Sequence, residues 1–184
     1  MTNKKALSES YICDRYITPS VTKDGWAANR WRREYGFTDG KIIVRGKLVA
    51  RCKRKRLNYL LFHTPNLPMA LIEAKDNNHS VGSGMQQGLA YAETLDVPFV
   101  FSSNGDGFLF HDRTGTFAAI EQTLTLDEFP SPETLWTHDR QWRGIEDADE
   151  DVVASPNYVE AGGKEARYYQ QLSINRSVEA VARG

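Results

Sequence analysis

Two apolar runs, Leu57 to His63 and Met69 to Lys75, separated only by Thr64-Pro65-Asn66-Leu67-Pro68, constrain this chain more than any other feature. Short runs bounded by proline and asparagine are the mark of strands joined by a tight connection. If the hairpin turns about the Pro65-Asn66 bond, the numbers of facing residues sum to 131, which places Asn58 across from Glu73. Alternate strand residues share a face, and opposed positions lie about 4.5 to 5.5 Å apart at Cβ. Asn58, Glu73 and Lys75 are therefore predicted to converge on one point.

The remaining text fills in a frame around that hairpin. Ser8 to Ile17 reads as a short helix ending before Thr18-Pro19, followed by an aromatic, turn-rich stretch from Asp24 to Gly40. Lys41 to Ala50 is rich in β-branched residues and predicts one strand with a bend at Gly46. After the break at Gly82-Ser83-Gly84, Leu89, Ala92 and Leu95 mark an apolar helical face over Met85 to Leu95. Phe99 to Phe101 and Phe108 to Phe110 predict two more strands about the turn Gly105-Asp106-Gly107. The fold class is α+β, a central mixed sheet flanked by helices. We expect a first domain over residues 1–120, an extended connector over 121–166, and the start of a further domain over 167–184, with a helix marked by Ile174, Val178 and Val181.

Charge is divided unevenly. Residues 1–56 hold 15 Lys/Arg against 5 Asp/Glu, leaving 8 against 19 in residues 57–184, so a net charge of -1 conceals a basic front and an acidic back. Seven of the twelve residues from 45 to 56 are basic: Arg45, Lys47, Arg51, Lys53, Arg54, Lys55 and Arg56. Such a tract suits the phosphate backbone of double-stranded DNA, or else is a solvated hairpin tip. No apolar run is long enough for a membrane span or a secretory signal, so a cytoplasmic location is expected. Cys13 and Cys52 have no metal-ligand spacing, and neither do the four histidines.

The convergent trio suits phosphodiester hydrolysis. Glu73, position 58 and the Ala74 carbonyl are candidate ligands for Mg²⁺, and Lys75 could orient a water or stabilise charge developing on the phosphate. Gln87 and Tyr91, four apart on the helix after the break, share one face.

With these residues in place the chain resembles the restriction-subunit nuclease domain of type I restriction enzymes, within the PD-(D/E)xK superfamily. The resemblance rests on Ala70 to Val81, Gly84 to Glu93 and Phe101 to Asp106, and extends over Gly25-Trp26, Thr38 to Ile42 and Phe129 to Pro132. It implies a Mg²⁺-dependent type I site-specific deoxyribonuclease module, with Glu73 and Lys75 catalytic and Gln87 with Tyr91 as an accompanying element. Glu9 falls where the superfamily's first helix often supplies an acid, or is a solvent-facing glutamate. Arg167 to Gln170 resembles the adenine-reading segment of superfamily 2 helicases, with Gln170 as the base contact, so the resemblance implies that 1–120 is the nuclease domain and 167–184 the truncated start of the helicase motor domain. ATP would thus belong to the full-length subunit, since no phosphate loop occurs here. The implied partners are DNA and the methylation and specificity subunits of the same enzyme.

Asn58 departs from the family, which has aspartate there. An asparagine offers one neutral carbonyl oxygen, so cleavage by this chain is expected to be impaired. The alternative function is a catalytically silent DNA-holding or subunit-docking domain.

Overall fold

The computed structural model describes residues 4–38, 42–45, 48–51, 54–156 and 166–183, with the backbone alone for 42–45 and 48–51. Eight strands are present among them: β1 (Trp31–Thr38), β2 (Ile42–Arg45), β3 (Leu48–Arg51), β4 (Arg54–Phe62), β5 (Pro68–Ala74), β6 (Phe99–Ser103), β7 (Phe108–Asp112) and β8 (Glu121–Leu124). Six form one sheet in the order β1-β4-β5-β6-β7-β8, while β2 and β3 pair separately. Only the β5–β6 pair is parallel, so the sheet is mixed and the fold is α+β. The helices are α1 (Glu9–Ile12), α2 (Thr18–Lys23), α3 (Met85–Leu95), α4 (Pro132–Arg143), α5 (Glu150–Ala154) and α6 (Tyr168–Ala182). None is long and apolar enough to cross a membrane.

The central hairpin keeps the expected register over Tyr59–Ile72, Leu60–Leu71 and Leu61–Ala70, but it shifts between Leu61 and Phe62, so that Phe62 faces Pro68 and the turn is not centred on Pro65-Asn66. Each face of the sheet buries its own cluster. Tyr59, Leu61, Ile72, Phe99, Phe101, Phe108 and Phe110 pack on the side of α1 and α4. Leu57, Leu60, Leu71 and Val100 pack beneath α3, against Met85, Ala92 and Leu95. Burying an aliphatic or aromatic side chain of this size contributes roughly 1.5–3 kcal/mol, so both faces are held mainly by apolar contact.

Several expectations are corrected. The first helix does not stop before Pro19: a π turn over Cys13–Ile17 carries the chain into α2, with Pro19 in its first turn. Lys41 to Ala50 is not one bent strand but parts of two, β2 and β3; Gly46 lies outside the described residues. The stretch read as turn-rich contains the edge strand β1.

The largest correction concerns residues 121–166. β8 completes the sheet, and α4 buries Leu135 and Trp136 in the first core cluster, followed by Ile145 and Val153. Ser131 caps α4 by accepting from Thr134 N, Pro132 stands at its start, and Gly144 ends it at φ +65. Of that span, 157–165 lie outside the described residues. The helix expected from Ile174, Val178 and Val181 is present as α6, but Ile174 and Val181 are exposed and Val178 is half-buried. Its buried side is polar: Asn175 Nδ2 donates to Asn66 O at 2.8 Å, and Glu179 takes Arg143 at 2.6 Å. Arg143 also holds the fully buried Asp139 at 2.8 Å. Burial pushes the Asp139 carboxyl up to about 6 against the pull of Arg143.

If α4 belongs to the core, Trp136→Ala should cost about 3–5 kcal/mol in urea unfolding, because Trp136 stacks on His63 at 4.0 Å and bonds Glu150 through Nε1. A change below about 0.5 kcal/mol would mark residues beyond 121 as a loosely attached appendage.

Candidate active site

At Asn58 the sheet changes character. Pairing of β4 with β5 stops at Tyr59 and Ile72, one position short of Asn58 and Glu73. On the other side, the ladder with β1 pairs Arg33 with Tyr59 and Tyr35 with Leu57, leaving Glu34 and Asn58 between them. Strand alternation also breaks here: Tyr59 and Leu61 join one core cluster, whereas Leu57 joins Leu60 and Phe62 in the other. β1 switches in step, since Trp31 packs with the first cluster and Phe37 with the second. The switch coincides with a left-handed backbone at Glu34, φ 52.

The freed polar groups build the site. Ala74 N–H donates to Asn58 Oδ1 at 2.8 Å. A backbone N–H can only donate, so this contact fixes which end of the amide is oxygen. Asn58 Nδ2 consequently faces α1 and donates to Glu9 Oε1 at 2.9 Å. Ser8 sets Glu9 at the first turn of α1 by accepting from Tyr11 N.

Glu73 is 2% exposed, and its Oε1 has no hydrogen-bond partner. Burial drives its carboxyl up to about 8; Lys75 and the Asn58 backbone amide oppose the shift, while Glu9 and Glu34 add to it. Lys75, just past β5, extends the parallel ladder by donating its N–H to Ser103 O at 2.8 Å. Its Nζ donates to Gln87 Oε1 at 3.1 Å, and Gln87 Nε2 donates to Tyr91 OH at 2.9 Å. This chain anchors the lysine to α3.

Glycines let α3 approach closely enough to supply that anchor. A Cβ at Gly88 would fall 2.8 Å from Val100 Cγ1, and one at Gly84 would fall 3.0 Å from Glu73 Cβ. Ser102, missed in the sequence, ties the helix start to the sheet: its hydroxyl donates to Val81 O at 2.6 Å and accepts from Gly84 N at 3.0 Å.

The structure thus gathers Glu9, Asn58, Glu73, Ala74, Lys75, Gln87 and Tyr91 in one place. Among the described residues no three His, Cys, Asp or Glu side chains form a metal-binding group. Two carboxylates, Glu9 and Glu73, flank position 58. An aspartate there would set an oxygen, rather than an N–H, against Glu9 and add the third.

The basic tract is described only in part. Arg56 pairs with Glu34 at 2.9 Å, and Lys55 Nζ lies 5.7 Å from the Tyr91 ring centre. Arg54 packs along Gly36, whose Cβ would meet its Nε at 2.8 Å. Arg45 and Arg51 lie in β2 and β3 as backbone only, and Lys47 and Lys53 fall outside the described residues. Gln170 caps the start of α6, its Oε1 accepting from Arg167 N at 3.0 Å. Glu34, the residue sequence reasoning overlooked, is one of only 5 acids among the first 56 residues, and that rarity was its only signal.

Residues 26–130 match the family model described as type I restriction enzyme R protein N terminus. The type I restriction enzyme EcoAI endonuclease subunit of Escherichia coli is 44% identical over 184 residues, which is 99% of this chain and 23% of that protein. A fragment structure described as an HsdR subunit of a type I restriction enzyme from Vibrio vulnificus YJ016 superposes with a TM-score of 0.80 at 39% identity, covering 97% of this chain and 33% of that one. The chain therefore spans less than a quarter of its curated relative.

The raised Glu73 carboxyl gives a test. Between its ordinary 4.5 and about 8 the folded protein holds a proton that the unfolded chain releases, so stability present at low pH is lost as pH rises through that window. Urea stability should decline from about pH 5 to about pH 8, with Glu73 contributing at most about 1.4 kcal/mol per pH unit, and Glu73→Gln should flatten that part. Parallel profiles for the two proteins would mean that Glu73 ionises freely.

Proposed function

Because the chain belongs to the family of type I restriction enzyme R protein N termini, we propose that it is the DNA-cleaving domain of such a subunit, held in a weakly active state by Asn58. The observation carrying this reading is the unpartnered, buried Glu73 Oε1 beside a lysine fixed by Gln87 and Tyr91. A carboxylate beside an anchored lysine fits the PD-(D/E)xK pattern.

The donor set suits Mg²⁺ in part. Mg²⁺ is commonly held by one or two carboxylates with water and substrate phosphate, and Glu73 and Glu9 supply two, with the Ala74 carbonyl as a further oxygen. When bound, the ion would polarise the scissile phosphate and acidify a water. Lys75 steadies negative charge developing on the phosphate, and its tie to Gln87 removes the need to reorient as that charge appears. Glu73 must give up its proton before it can act as an anion, which Lys75 favours. Asn58 works against the arrangement, since its N–H hydrogens occupy Glu9 and its only oxygen is committed to Ala74 N–H.

Under this reading the partners are double-stranded DNA and the methylation and specificity subunits, with ATP used elsewhere in the full-length subunit, where Gln170 would contact the base. The second reading, a silent DNA-holding or docking domain, is favoured by the same Asn58–Glu9 contact, which satisfies the site without a cation.

The two readings separate in a nicking assay. In the full-length subunit assembled with its partners, Asn58→Asp should raise Mg²⁺-dependent cleavage of DNA by about 10²-fold or more, comparable to restoring one transition-state contact. Equal, robust cleavage by both proteins would overturn the assignment of Asn58 as the limiting residue; absence of cleavage in both would favour the silent domain.

A further inference from the structure

Glu34 sits in an edge strand in a conformation that glycine adopts freely and glutamate does not. It intervenes opposite Asn58, where β1 and β4 exchange faces. Its carboxylate reaches Arg56, two residues before Asn58, with Oε2 2.9 Å from NH1. Both side chains remain open to solvent, 47% exposed for Glu34 and 71% for Arg56, so a ligand can reach the pair. The same carboxylate adds to the negative field on Glu73. An acid at the mouth of a site meant for a polyanion opposes binding, unless it has work to do on the unliganded protein.

Resting on the DNA-cleaving reading, we propose that Glu34 is a positioning residue that holds Arg56 at the edge of the Asn58 site and surrenders it to a phosphate of the DNA backbone. Glu34 is thus an internal competitor for the cation that the substrate must displace. An arginine suits this exchange, because its planar fork accepts carboxylate and phosphate in equivalent geometry. The pair holds Arg56 near the Asn58 edge before DNA arrives, where a backbone phosphate can replace Glu34 as its partner.

Simple repulsion by Glu34 would also weaken DNA binding, so the test must couple the two residues. Affinity for a duplex of about 20 base pairs is measured by fluorescence anisotropy in EDTA across a salt series, for this chain, Glu34→Gln, Arg56→Gln and the double variant. Glu34→Gln should bind about three- to tenfold tighter at low salt, and that gain should vanish in the Arg56→Gln background. Arg56→Gln alone should lower the salt slope by about 1. A Glu34→Gly control keeps the left-handed backbone; it should unfold at no lower temperature and bind like Glu34→Gln. An equal gain in both backgrounds, or no gain, overturns the exchange while leaving the DNA reading intact. No duplex binding by any of the proteins overturns both.

Discussion

The backbone N–H of Ala74 is left without a strand partner where β4 parts from β5, and the side chain at position 58 satisfies it. From that contact the rest of the site follows. It fixes the Asn58 oxygen on β5, sends the amide nitrogen to Glu9, and so ties the first helix to the end of the central hairpin. With an aspartate in the same pose, two carboxylate oxygens would meet where Nδ2 now meets Oε1, and they would require a cation or a proton between them. Asparagine closes that gap with an N–H donated to Glu9. Under the proposed Mg²⁺-dependent reading, the side-chain amide stands where the positive charge would sit.

The rest of the fold serves to keep that point rigid and dry. Gly84 and Gly88 bring α3 down on Glu73, leaving its carboxyl 2% exposed. Ser102 ties the helix start to β6. Desolvation that raises the Glu73 carboxyl also strengthens its interaction with Lys75, so the two oppose one another at close quarters. On the opposite face, the aromatic cluster of Phe99, Phe101, Phe108 and Phe110 supports the strands that carry the site.

Much of this was legible in the sequence. The register read from one proline-stiffened loop matches the pairs from Tyr59–Ile72 to Leu61–Ala70, but it missed the irregularity at Leu61/Phe62 and the end of the ladder before Asn58, whose side chain meets Ala74 N–H instead. Helical spacing placed Gln87 and Tyr91 on a common face, while their place beside the site came from the family resemblance. What was not legible depends on tertiary contact. Ser131-Pro132 and Gly144 are ordinary helix boundaries, yet the acidic, proline-containing surroundings read as linker until Trp136 was seen against His63. Pro19 read as a stop because a π turn ahead of it cannot be inferred from composition. In α6 the apolar spacing indicated the helix itself, but not that its buried contacts would be the polar ones of Asn175 with Asn66 and Glu179 with Arg143. Glu34 had no local signature, because its left-handed backbone arises from two strands switching faces together.

The central claim is that the Asn58 amide takes the place of a cation beside Glu9 and Glu73. Calorimetric titration of Mg²⁺ into this chain and into Asn58→Asp, at about pH 7 in buffers of different ionisation enthalpy, tests it most directly. The account predicts binding tighter by at least about tenfold, or about 1.4 kcal/mol, in the aspartate variant. A proton should be released as Glu73 ionises. Equal affinities, or tighter binding with no proton released, would contradict it.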